Sequence, residues 1–167
     1  MNFHPSRTIR YLYLRLKRLQ GDPESLALGM ALGVFIGITP TIPLHTVLTI
    51  GLTLAFRAST LSGLIGTVLV SNPLTIVPLY YLCWKIGNWF MPDRVTWERL
   101  KTLLDHLMSQ GLVEGVRTLS HLSLDVVLVL MSGGLVLAIP PSVISYFLAR
   151  HLFLKWQLKR QRKHLLN

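Results

Sequence analysis

From Ser25 to Phe56 the chain carries no charged side chain, and this run is interrupted in its middle by Thr39-Pro40-Thr41-Ile42-Pro43. That combination constrains the fold more than any other feature. A long apolar run is driven out of water, and each proline inside a helix removes a hydrogen bond and clashes with the preceding turn. The run (segment A, 24–56) therefore reads as two half-helices joined within apolar surroundings. Two further stretches repeat the pattern. Segment B, 61–91, is interrupted by Ser71-Asn72-Pro73 and later by Pro78, and its only charge is Lys85. Segment C, 126–149, is uncharged, with Gly133-Gly134 and Pro140-Pro141 inside it.

Composition makes these segments a membrane pattern. Of 167 residues only 14% are charged, against roughly 25% in an ordinary soluble domain. The balance is basic, with 17 Lys+Arg against 7 Asp+Glu. Arg7, Arg10, Arg15, Lys17 and Arg18 precede the apolar middle, and Arg150, Lys155, Lys159, Arg160, Arg162 and Lys163 follow it. Basic flanks on apolar segments are what anionic headgroups attract, and they place both ends in the cytoplasm. The same placement accounts for Lys159-Arg160-Gln161-Arg162-Lys163 without nucleic acid. Residues 1–21 read as a basic amphipathic helix, with Ile9, Leu12, Leu16 and Leu19 at helical spacing and no cleavable-signal pattern. Residues 22–154 read as a membrane domain, including an amphipathic stretch at 93–122, and 155–167 as a basic tail. The fold class is then all-α integral membrane: three Pro/Gly-broken segments plus amphipathic interfacial helices.

The breaks fall at informative depths. Pro40 lies 16 residues after Glu24, about 24 Å of helix. Lys85 lies 12 residues after Pro73, about 18 Å. The midplane of a hydrocarbon core is ~15 Å from either interface. Each half-segment is too short to span but reaches the middle, so re-entrant hairpins and broken transmembrane helices both fit. Two basic ends on one side require an even number of crossings. The charges favour A and B as the crossing pair, with Arg57 outside. Gly33, Gly66 and Gly133 each precede a proline by seven residues (Pro40, Pro73, Pro140), which is either an internal repeat or chance among the glycines and prolines common in membrane helices.

A membrane site is polar, near the midplane and lined by broken helices. Two stretches qualify: Thr39, Pro40, Thr41, Pro43 and His45 around the first break, and Thr67, Ser71, Asn72, Pro73 and Thr75 around the second. Half-helix ends there offer N–H groups to an anion and carbonyls to a cation. Facing each other, the breaks would enclose a polar chamber for a solute or lipid headgroup. The alternative is that these hydroxyls and Asn72 only satisfy carbonyls freed by the prolines. His45 is the one titratable group expected near the midplane; it is either a proton relay or a neutral ring bonded to a carbonyl. Gly29, Gly33 and Gly37 form a small-residue face for packing or dimerisation. Enzyme chemistry is not expected. Every carboxylate lies at or beyond a segment edge, the six histidines lack metal-ligand spacing, and single Cys83 gives no disulfide or Cys-based zinc site. No cofactor is implied.

Ala31-Leu32-Gly33-Val34-Phe35-Ile36-Gly37 with Pro40, Pro43 and His45, then Gly66-Thr67, Ser71-Asn72-Pro73-Leu74-Thr75, Pro78, Tyr80 and Gly87, resemble the bacterial DUF2062 family of small inner-membrane proteins. In some members the domain resembles an appendage to a glycosyltransferase. The resemblance spans roughly residues 20–150 and implies a fold and an inner-membrane location, not an activity. Here the first block ends Pro-Leu-His, where many members resemble one another in having a glycine and a polar residue. The expectation is a small transporter or lipid-handling protein with a midplane site at the two breaks. The other reading is a membrane scaffold or assembly partner of an envelope-synthesis enzyme. A chain this short would need to self-associate to enclose a pathway.

Overall fold

A computed structural model describes residues 21–41, 44–71, 73–92 and 124–164, with positions 14, 95, 96, 98, 101 and 102. Among the described residues the chain is all-helical: α1 (Pro23–Ile38), α2 (His45–Ala55), α3 (Thr60–Val70), α4 (Pro73–Phe90) and α5 (Leu124–His164). The expected basic helix at 1–21 and amphipathic stretch at 93–122 lie almost wholly outside the described residues.

Helix α1 begins where local chemistry dictates. Asp22 is its N-cap, accepting from Ser25 N at 3.1 Å, and Pro23 fills the first helical position, where no N–H is needed. It ends at Ile38 because Thr39 precedes a proline and is extended (φ −67°, ψ 134°). Helix α2 ends in a Schellman turn, with Ala58 N donating to Thr53 O at 2.7 Å and Arg57 N to Leu54 O at 3.1 Å. Arg57 holds the left-handed position at φ 52°, which costs a residue with a Cβ roughly 1 kcal/mol.

The order of contacts traces the chain. Helix α3 lies along α1 in the same direction: Gly29 faces Ser59, Gly33 faces Gly63, and Gly37 faces Thr67 and Val70. Helix α2 runs back against them. His45 meets Thr39 at one end; at the other, Ser25 Oγ donates to Arg57 O at 3.4 Å and Ser59 N to Ser25 O at 3.0 Å. Helices α1 and α2 thus form a hairpin whose exit lies beside its entry. Arg57 is at the same end of the bundle as Glu24, which corrects the expectation that segment A carries it to the far end. Sequence spacing measures the length of each arm but not the sense in which the second returns.

Helix α5 packs along two partners. Its Ala149 and Phe153 join Leu26, Ala27 and Met30 of α1, while Val126, Val129 and Leu130 join Tyr80 and Cys83 of α4. Glu24 and Arg150 pair at 2.9 Å where α1 begins. The breaks expected in A and B are present, between Ile38 and His45 and between Val70 and Pro73, and the latter turns the axis by 87°. The break expected at Pro140-Pro141 is not: α5 is one helix of 41 residues. Those prolines remove two N–H donors, but α1 grips fully buried Ala138 and Ser142 Oγ donates back to Ala138 O, so packing holds the axis. Pro78 is likewise inside α4. By length and composition α5 can cross a bilayer, and α3 with α4 would make a second span only as one bent unit.

Glycine decides the closest approaches. A Cβ at Gly33 would strike the Gly63 carbonyl oxygen, at Gly87 that of Val129, and at Gly133 that of Cys83. A Cβ at Gly51 meets nothing within 4 Å. Gly33→Ala should therefore lower stability by about 1–3 kcal/mol, while Gly51→Ala raises it by up to about 1 kcal/mol through helix propensity. Thermal unfolding in mild detergent reads both; equal shifts would show that the α1–α3 contact is not holding the bundle.

Candidate functional site

The last carbonyls of α1 have no partner within their helix, and the fold brings side chains to them from α2, α4 and the two breaks. Thr39 donates to Phe35 O through both its N (3.1 Å) and its Oγ1 (2.8 Å). Ser71 Oγ donates to Gly37 O at 3.0 Å, and Cys83 Sγ reaches Ile38 O at 3.8 Å. His45 Nε2 lies 3.1 Å from Thr39 O, so that nitrogen carries the proton. Pro40 seats its ring against Gly134 of α5. The first break is a helix C-terminus capped by tertiary contacts.

From this cap a line of hydroxyls follows the α1–α3 interface. Ser62 Oγ donates to Leu26 O at 2.7 Å and Thr67 Oγ1 to Gly33 O at 3.0 Å. Thr67 has one proton, so Thr49 Oγ1, 2.9 Å away, is the donor to it. Thr53 Oγ1 donates to Thr49 O at 2.7 Å and lies 3.0 Å from Thr60 Oγ1. These groups form a hydroxyl seam from the Arg57 end of the bundle to the hairpin tip. Thr49, Thr53 and Ser62 have no exposed surface.

The residues singled out from sequence divide accordingly. Thr39, His45, Thr67 and Ser71 converge on the seam and its cap, with Pro40 packed beside them. Thr41 Oγ1 turns back to Thr39 O at 3.4 Å, and Thr75 Oγ1 donates to Val70 O within its own break. Pro73 opens α4. Pro43 and Asn72 lie outside the described residues. Thr49, Thr53, Thr60 and Ser62 were not among the expected residues. One signal was present: His45, Thr49 and Thr53 are spaced i, i+4, i+8, one stripe of α2. No charged side chain reaches the seam among the described residues, so its chemistry is that of neutral donors and acceptors.

Because these hydroxyls serve backbone carbonyls, they also hold the bundle. Thr67→Val keeps the shape but leaves Gly33 O and Thr49 Oγ1 short of a partner, and should cost about 1–2 kcal/mol. Thr67→Ser should recover most of it. Unfolding of both variants in mild detergent is the measurement, and an unchanged valine variant would remove the seam from the account of stability.

Over residues 6–162 the chain matches the model of a family described as an uncharacterised protein conserved in bacteria, DUF2062. No curated protein and no solved structure matches it. A match across nearly the whole length settles kinship, and the chain belongs to the DUF2062 family.

Proposed function

We propose that this is an integral inner-membrane protein that handles a polar solute or lipid headgroup along the hydroxyl seam. The observation that carries the reading is the inverted polarity of α2. Its buried side chains are His45, Thr49 and Thr53, while Val47, Ile50 and Leu54 face outward. A helix on a water-soluble domain is patterned the other way. Polar groups turned inward and aliphatic ones outward are what a hydrocarbon surrounding requires. Helix α5 agrees: only 33% of its most apolar window is buried.

In this reading α1–α2 is a re-entrant hairpin, because Ser25 and Arg57 meet at its ends. The 16 residues of α1 and 11 of α2 extend about 24 and 16 Å, enough to reach the middle of a bilayer ~30 Å thick but not to cross it. The bent α3–α4 unit and α5 are then the two crossings. Both basic ends, Arg57 and Arg150 share the cytoplasmic face, and the chain between Phe90 and Leu124 lies on the other. Catalysis and cofactors have no part in the proposal, and self-association is left to carry any enclosed pathway.

A second reading, a scaffold for an envelope-synthesis enzyme, draws on one feature. Helix α5 runs 14 residues past Arg150, about 21 Å, and its Lys155 and Lys159 are exposed. Such a basic post is within reach of an acidic partner. A stoichiometric companion in a mild-detergent pull-down, lost on removing 155–167, would support it.

Topology is tested by single cysteines at positions 4, 56, 108 and 164 in a Cys83→Ser background, probed in intact cells with a membrane-impermeant thiol reagent. Only position 108 should react. Labelling at 56 would put α2 across the bilayer and end the hairpin reading.

A further inference from the structure

We infer that α2 is a lateral gate over the hydroxyl seam, and that the ligand it admits is a phospholipid, its phosphate-bearing head entering the seam while its acyl chains stay in the bilayer. This rests on the membrane reading above and goes further by naming the moving element and the substrate class.

The first ground is how α2 is held. None of the apolar clusters that join α1, α3, α4 and α5 contains a residue of α2. Its own buried positions are His45, Thr49 and Thr53, and it rests on the small surface of Gly63. Side-chain hydrogen bonds between helices in a membrane are individually weak, because the separated groups find other partners. Helix α2 can therefore leave its seat without opening an apolar core. Its two ends are turns: Leu44 N bonds Thr41 O at 2.6 Å before it, and the left-handed Arg57 follows it.

The second ground is the direction of opening. The seam is covered on one side by α1 and α3 and on the other by α2. When α2 moves, the seam opens sideways toward whatever surrounds Val47, Ile50 and Leu54, which in the membrane reading is acyl chain. A freely soluble solute does not arrive from that direction. An amphiphile does, with its head already at the interface.

The third ground is the chemistry exposed. Thr49 and Thr60 lose the oxygens their hydroxyls donate to and become available donors, while Thr53 and Thr67 keep their protons on the backbone carbonyls of Thr49 and Gly33. At the mouth stands the exposed Arg57, beside the N-terminal ends of α1 and α3, whose partial charge is positive. Hydroxyl donors behind a cation suit the oxygens of a phosphodiester. The seam then leads the head toward His45 at the hairpin tip.

The test locks the gate. Thr53→Cys with Thr60→Cys, where the hydroxyl oxygens are 3.0 Å apart, ties α2 to α3 in a Cys83→Ser background. Thr49→Cys with Thr67→Cys, at 2.9 Å, is a second lock. Full-length protein is reconstituted into vesicles of phosphatidylethanolamine and phosphatidylglycerol with a trace of short-chain fluorescent lipid, and lipid-free albumin, which extracts label from the outer leaflet and leaves disulfides intact, is added outside. With wild-type protein, its seam threonines intact, the whole label should be lost as it reaches the outer leaflet, and the reduced double-cysteine proteins should keep a measurable part of that rate. With the oxidised double-cysteine proteins only the outer-leaflet share should be extracted, as in protein-free vesicles, and a thiol reductant that reopens the disulfide should release the rest. Equal loss in both states overturns the gate. Wild-type protein that floats with the vesicles yet moves no lipid overturns the lipid assignment and leaves the membrane reading standing. Protein that fails to float overturns that reading itself.

Discussion

Everything in this fold depends on how closely the backbones of α1 and α3 approach. Gly33 and Gly63 place main chain against main chain, and only at that separation can a serine or threonine on α3 reach a carbonyl on α1. Close packing and hydrogen bonding are here one device: the glycines remove the side chains that would hold the helices apart, and the hydroxyls use the space. The same economy recurs where Gly87 and Gly133 bring α4 onto α5. In surroundings that offer no hydrophobic drive between helices, contact area and satisfied polar groups are the attraction that remains.

The hairpin tip shows what this closeness permits. A helix that ends inside a bundle leaves carbonyls without donors, which is costly where no water reaches. Here they are met by Thr39, Ser71, Cys83 and His45, drawn from α2, α4 and the two breaks. The end of α1 is thus a junction on which otherwise separate elements converge. The groups that stabilise it lie at one end of the seam on which the functional reading rests, so in that reading stability and function draw on the same hydroxyls.

Much of this was legible in the chain. Asp22-Pro23 marked the start of α1, the Pro40 and Pro73 breaks marked the half-helices, and the i, i+4 glycines marked a packing face. Three things were not legible. Whether a half-helix goes on or turns back depends on contacts such as Ser25 with Arg57, far apart in sequence. Pro140-Pro141 reads as a break because local rules count lost hydrogen bonds, whereas Ala138 is fixed by tertiary packing against α1. Thr49 and Thr53 look like ordinary residues in an apolar run until their stripe is set against the aliphatic one opposite. The hydroxyl seam was therefore legible at its ends, Thr39 with His45 and Thr67 with Ser71, and not along its length.

In the membrane reading, the unequal lengths of the helices have a consequence for the surrounding lipid. Among the described residues, α1, α2, α3 and α5 lie side by side at the level of Arg150, whereas near Asp125 the described helices are α4 and α5, with Val95 packed between them. Set in a bilayer, such a body displaces more lipid from one leaflet than from the other. The described helices form a wedge, broad toward Arg57 and Arg150. Its insertion crowds that leaflet and relaxes where the membrane bows outward on the same side, so local curvature becomes a variable that acts on where the protein resides.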